Sequence, residues 1–138
     1  MIVIDASVLT RFLLDDERVV TAVDQEISSQ GHQPLHAPEV IEPETLNALR
    51  KMTFRGVISA RRGTRAVADL DKIRLIRYPH EPLRPRMWEL RDQLSAYDAA
   101  YLALVEVLGK GVLLTADRGL AAAARRHLGE DGVRLVAD

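Results

Sequence analysis

Met1-Ile2-Val3-Ile4-Asp5-Ala6-Ser7-Val8-Leu9 opens the chain with an aliphatic run that stops on an acid. Three β-branched residues in a row make a short buried strand. From Ser7 the pattern changes: Val8, Leu9, Phe12 and Leu13 fall on one face of a helix that extends to Leu14. Strand followed at once by helix is the start of a βα unit, and the alternation continues along the chain. Val19, Val20, Val23 and Ile27 prolong the helical pattern. Further strands are expected at Leu75–Ile76, with Arg74 and Arg77 flanking, at Val112–Leu114 and at Val133–Val136, while Leu35–Ala37 is too short to establish a fifth unaided. Asp98–Leu108 is a nearly all-apolar helix that should lie centrally, stopped by Gly109 and Gly111, and Leu120–Leu128 is an Ala-rich helix ending at Gly129. Tyr78–Pro85 reads as a loop leading into a helix around Trp88. Parallel strands need crossovers, and helices supply them. The expected fold is α/β, in three layers: a parallel sheet of four to five strands with helices on both faces, residues 1–138 forming one domain.

Composition removes several function classes. The chain has no cysteine, so a disulfide framework, a Cys-based zinc site and a thiol nucleophile are all excluded. The first residues carry no basic segment ahead of the apolar run, which argues against a signal peptide, and no stretch approaches a membrane span. A cytoplasmic protein is expected. The net charge of −1 hides opposing blocks. Residues 1–49 carry nine acids against two arginines, whereas residues 50–91 carry ten Arg and two Lys against four acids. Such a basic middle suits either phosphate binding or a solvated, Arg-rich helix face.

Ligands of open parallel sheets bind at the carboxyl ends of the strands. Asp5 follows the first strand directly, and Asp117 lies two residues past Leu113-Leu114-Thr115. Asp98 opens the apolar helix, where a plain N-terminal cap is the competing role. Glu44 shares a helical face with Val40, Ile41 and Ala48, and the nearby Glu39 and Glu42 read as solvated or first-turn charges. Two carboxylates about 5 Å apart repel by roughly 3 kcal/mol at an effective dielectric of about 20. A gathered set therefore either raises its pKa values or takes up a hard divalent cation such as Mg²⁺ or Mn²⁺. Pro43, just before Glu44, either kinks the helix or sits in its first turn, where proline is tolerated and Glu44 would be favoured in its charged form.

Four pieces, in order, resemble the PIN domain family and within it the VapC toxins: Val3-Ile4-Asp5-Ala6-Ser7; Ala37-Pro38 followed by Glu44, Asn47, Ala48 and Leu49; Leu94-Ser95-Ala96-Tyr97-Asp98-Ala99-Ala100-Tyr101-Leu102-Ala103-Leu104; and Leu114-Thr115-Ala116-Asp117-Arg118-Gly119-Leu120. Each is weak alone. The resemblance implies a magnesium- or manganese-dependent endoribonuclease that cuts structured RNA such as transfer RNA, with Asp5, Glu44, Asp98 and Asp117 as catalytic and metal-holding acids. It further implies supporting hydroxyls at Ser7 and Thr115, whose competing roles are a helix N-cap and a strand-end turn. A cognate VapB-type antitoxin that covers the site, a homodimer, and DNA contact only through that antitoxin complete what it implies.

Arg50, Lys51, Arg55, Arg61, Arg62 and Arg65 follow Glu44 and are candidates to line an RNA backbone; Arg118 would touch phosphate or pair with an acid. Aromatic residues are sparse at 4%. Trp88 and Tyr101 are therefore expected in the core, with RNA shape rather than base stacking deciding the substrate. His32, His36, His80 and His127 show no metal-ligand spacing and read as surface or loop residues. Two rival readings stay open: a silent PIN-like module that only pairs with its partner, and a receiver-like phosphate acceptor at Asp5, which lacks the paired acids and lysine that chemistry wants.

Overall fold

The computed structural model describes residues 1–136. Its five strands are β1 (Ile2–Ile4), β2 (Leu35–Pro38), β3 (Leu75–Tyr78), β4 (Val112–Thr115) and β5 (Val133–Leu135), paired in the order β3-β2-β1-β4-β5. Every pairing is parallel, with Ile2 opposite both Leu35 and Val112 and Ile4 opposite Leu114. Leu35–Pro38 is thus a full member of the sheet. Its four residues are all buried, because β1 and β3 flank it and supply the pairing that its length cannot guarantee.

The helices are α1 (Ala6–Leu13), α2 (Glu17–Ser29), α3 (Ile41–Phe54), α4 (Ala60–Asp69), α5 (Arg84–Glu89), α6 (Ala96–Leu108) and α7 (Arg118–Leu128). One layer gathers α1 against α2, α3 and α4; the other sets α6 against β1, β2, β4, α5 and α7. The result is three layers, as the alternation of strands and helices requires. Residues Ala99–Val105 of α6 are all buried, the consequence of a helix apolar on every side. Gly109, at φ +85°, ends it in a conformation that side chains with a Cβ rarely adopt.

The chain builds β2 and β3 on one side of β1, then returns to build β4 and β5 on the other. That reversal leaves a crevice between the carboxyl ends of β1 and β4, where crossovers depart to opposite faces. Asp5 and Asp117 stand at this rim.

Trp88 departs from expectation. It is 68% exposed on α5, with the Arg91 guanidinium 4.8 Å from its ring centroid, because no residue of this six-residue helix is buried. His36 departs in the other direction: it is buried in β2 and hydrogen-bonded to the Tyr78 hydroxyl at 2.6 Å. His80 accepts a hydrogen bond from the Val40 amide at 3.0 Å and so steadies the entry to α3.

Candidate active site

Asp5 leaves β1 and caps α1. Its Oδ1 accepts from the Val8 amide at 3.0 Å and from the Ser7 hydroxyl at 2.6 Å, and its Oδ2 accepts from the buried Thr115 hydroxyl at 2.5 Å. Each hydroxyl is also an acceptor: Ser7 Oγ takes the Ala116 amide and Thr115 Oγ1 the Asp117 amide, both at 3.0 Å. Two hydroxyls thus tie the exit of β4 to the carboxylate at the exit of β1. Asp5 rather than Ser7 is the helix cap, and Thr115 serves both the turn and the acid. Although these donors favour the charged form, burial outweighs them, and with a contribution from Asp117 it raises the Asp5 pKa.

Asp117 caps α7 through Oδ1, which accepts from the Leu120 amide at 2.9 Å. It is the sheet-borne counterpart of Asp5. Asp98 has a different setting. Ser95 caps α6 by accepting from the Asp98 amide at 3.1 Å, so Asp98 is a first-turn residue and its carboxylate is not the cap. Half-buried, it faces three other acids: burial first, then Asp117, Glu44 and Asp5, push its pKa up to about 6. That mutual influence places the four acids in one neighbourhood.

Glu44 lies in the first turn and a half of an unbroken α3. Its amide donates to the Val40 carbonyl at 3.1 Å, and Pro43, in the first turn, interrupts nothing. The expected preference for charge at this helix start is reversed, since burial raises the Glu44 pKa despite a short hydrogen bond from Tyr101. The Tyr101 hydroxyl donates to Glu44 Oε1 at 2.6 Å and accepts from the Ala6 amide. It therefore links α6, α3 and the start of α1, and burial together with the Glu44 bond pushes its own pKa up. Sequence reasoning assigns Tyr101 to the core; its ring is indeed 1% exposed, but its hydroxyl belongs to the acid cluster. The signal available was an aromatic with a polar tip one helical turn after Asp98.

Glu42 is removed from the acid set by an ion pair with Arg77, and Glu39 is exposed. Arg62 is anchored, donating to the Leu13 carbonyl at 2.9 Å and pairing with Asp15 at 3.1 Å. Arg50 lies 4.7 Å from the Phe54 ring centroid, and Arg55, Arg61 and Arg118 are exposed. The cations that reach a cleft beside Glu44 are instead Lys51 and Arg11, the latter paired with Asp16 at 2.9 Å. Arg11 is not distinguishable in the sequence, because it belongs to α1 and meets α3 only in three dimensions. A larger cleft, of about 680 Å³ between α2 and the β4–β5 side, contains none of the four acids.

A divalent cation can be tested against this donor set. All four acids offer hard oxygen donors, and burial has raised the proton affinity of three of them, which is the chemistry that Mg²⁺ or Mn²⁺ matches. Asp5 is held by Ser7 and Thr115, Glu44 by Tyr101 and Asp117 by the Leu120 amide, and among the described residues no three acid or histidine side chains stand in chelating geometry. The residues fit by chemistry, with side-chain rotation needed to complete ligation.

The PIN domain model matches residues 2–126. This chain belongs to the PIN domain family. The chain is also 37% identical over 121 residues to Ribonuclease VapC9 of Mycobacterium tuberculosis and to VapC ribonuclease Mb0985 of Mycobacterium bovis, covering 88% of this chain and 89% of each relative. Ribonuclease VapC12 of Mycobacterium tuberculosis is 32% identical over 88% of this chain and 90% of its own length. The PIN domain here is thus of the VapC type, as its four sequence pieces led us to expect. Its fold matches the crystal structure of PAE2754 from Pyrobaculum aerophilum with a TM-score of 0.67 at 22% identity, over 96% of this chain and 81% of that one. Among the described residues no helix is long and apolar enough to cross a membrane.

Proposed function

We propose that this PIN domain is a metal-dependent endoribonuclease toxin, with Asp5, Glu44, Asp98 and Asp117 as its acids. What supports the reading is that Asp5, Glu44 and Asp98 each have a raised pKa to which a neighbouring acid contributes, with Asp5 and Asp117 at the switch point of the sheet. An isolated cluster of this kind disfavours its own ionisation, and the VapC ribonucleases it resembles supply the reaction class. Bound Mg²⁺ or Mn²⁺ would neutralise the acids and assist the attack of water on a phosphodiester. Within the chain, Ser7 and Thr115 hold the Asp5 carboxylate in one orientation, and Tyr101 does the same for Glu44. Asp98 or Asp117 would accept a proton from the attacking water or help hold the ion.

A structured RNA such as transfer RNA is the substrate we favour, with Lys51 and Arg11 drawing its backbone toward Glu44. A VapB-type antitoxin would silence the site, and the exposed Phe54, Val57 and Val67 of the α3–α4 region offer apolar surface to such a partner. The working form is a homodimer in the cytoplasm. The test is cleavage of transfer RNA by the purified chain with Mg²⁺. Activity should vanish with EDTA and in Asp5→Asn, and the products should carry 5′-phosphate and 3′-hydroxyl ends. Undiminished cleavage by folded Asp5→Asn would remove the site assignment.

A further inference from the structure

Glu44 and Asn47 form a ridge between two clefts of opposite character. On one side, about 450 Å³ is lined by Ser7, Thr10, Arg11 and Lys51 as well as the ridge itself. On the other, about 480 Å³ is lined by Val40, Pro43, Glu44, Asn47 and Tyr97. Val40, Pro43, Glu44 and Asn47 follow i, i+3, i+4, i+7 spacing, so they present one stripe of α3. Tyr97 lines the same cleft from the first turn of α6, immediately before Asp98, and remains 59% exposed despite its large ring.

We propose that this second cleft is a subsite for one unpaired nucleobase of the RNA, stacked on Tyr97 against Pro43 and met at its edge by the Asn47 amide. The inference rests on the ribonuclease reading and extends it. Among the described residues no cation lines the Tyr97 cleft, so a phosphate has nothing to hold it there, whereas a flat neutral ring with hydrogen-bonding edges matches an aromatic face, a proline and a side-chain amide. Continuity with the acids names the occupant. Glu44 lines both clefts, so a nucleotide lying across the ridge would put its backbone beside Lys51 and its base beside Tyr97. The cleft volume lies inside the range of about 300–1,000 Å³ common for small-molecule sites. The low aromatic content thus does not exclude stacking, since one ring at the right place suffices.

The test uses single-stranded RNA oligonucleotides carrying 2-aminopurine at successive positions, bound to the full chain with Asp5→Asn to prevent cutting. One position should lose fluorescence on binding. Adding Tyr97→Ala should abolish that position-specific quenching and weaken binding about tenfold, while Tyr97→Phe should behave like the parent. In parallel, the unsubstituted chain should lose cleavage efficiency through KM when the base at that same position is removed, and Tyr97→Ala should lose the sensitivity. Uniform fluorescence along the oligonucleotide, unchanged affinity in Tyr97→Ala, or no oligonucleotide binding at all would overturn the subsite; unchanged RNA affinity would leave Tyr97 to a protein partner. Cleavage with no position dependence refutes the subsite alone, whereas position-specific stacking without cleavage refutes the nuclease alone.

Discussion

The two acids carried by strand ends and the two carried within helices solve the same electrostatic problem differently. Asp5 and Asp117 each cap a helix, and backbone amides or hydroxyls occupy their oxygens. Glu44 and Asp98 sit inside helices whose entries are made by other residues: α6 by the Ser95 cap, α3 from Val40 onward, with His80 bonded to the Val40 amide. The strand-end acids have structural work that would survive the loss of any catalysis. The helix-borne acids have far less, and Asp98, pushed up to about 6, carries an unfavourable charge at neutral pH. The contrast teaches that retention of Asp5 or Asp117 alone says little about chemistry, whereas Asp98 costs stability unless something uses its charge.

The largest test of that contrast compares alanine with asparagine at both kinds of position. Asp5→Ala removes the cap and strands the Ser7 and Thr115 hydroxyls, while Asn keeps an acceptor oxygen, so thermal unfolding should place Asp5→Ala about 3 kcal/mol below Asp5→Asn. At Asp98 the same pair of substitutions should differ little. Similar gaps at both positions would break the comparison.

Thr115→Val should cost about 2 kcal/mol, because it leaves Asp5 Oδ2 and the Asp117 amide without their buried partner. Denaturant titration measures this directly. A cost near zero would show that the two strand ends are not joined through this hydroxyl.

Asp98→Asn should have the opposite sign. The folded chain keeps the Asp98 proton up to about pH 6, whereas the unfolded chain releases it near the ordinary carboxylate value of about 3.9. Between those values the folded state binds more protons, so this group's effect is to lower stability as pH rises from about 4 to about 6. Discounted for the solvent that screens this half-buried group, the gain for Asp98→Asn should be on the order of 1–2 kcal/mol at pH 7 in EDTA, nothing below pH 4, and should disappear when Mg²⁺ is added. A pH-independent gain would show that burial of the side chain, not its charge, is responsible.

Tyr101→Phe makes the smallest expected change, about 1 kcal/mol, since it removes the Glu44 donor but preserves the packed ring. Under the proposed function it should lower cleavage more than stability. Equal effects on both would reduce Tyr101 to a core residue.

The strands and helices were legible because their signals are local. Ile2-Val3-Ile4 is β-branched, Val8, Leu9, Phe12 and Leu13 repeat at helical spacing, and Ala99–Val105 is apolar on every side. Leu35–Pro38 was marginal since a four-residue strand carries little pattern of its own. Trp88 misled because composition says nothing about whether a short helix lies against the body. Counting to the ends of strands picks out Asp5 and Asp117; the start of the apolar helix and an apolar helical face pick out Asp98 and Glu44, and the family resemblance joins the four into one set.

What the sequence determined by itself was therefore the order of elements, the parallel sheet and the acids that end its strands, all consequences of side-chain periodicity over a few residues. Tertiary structure alone decided that Tyr101 reaches Glu44, that Ser7 and Thr115 share Asp5, and that Tyr97 and Pro43 line one cleft. Apart from the local Ser7–Asp5 bond, each of those contacts joins residues far apart in the chain, and its geometry is set by how helices seat on the sheet, which no local spacing encodes.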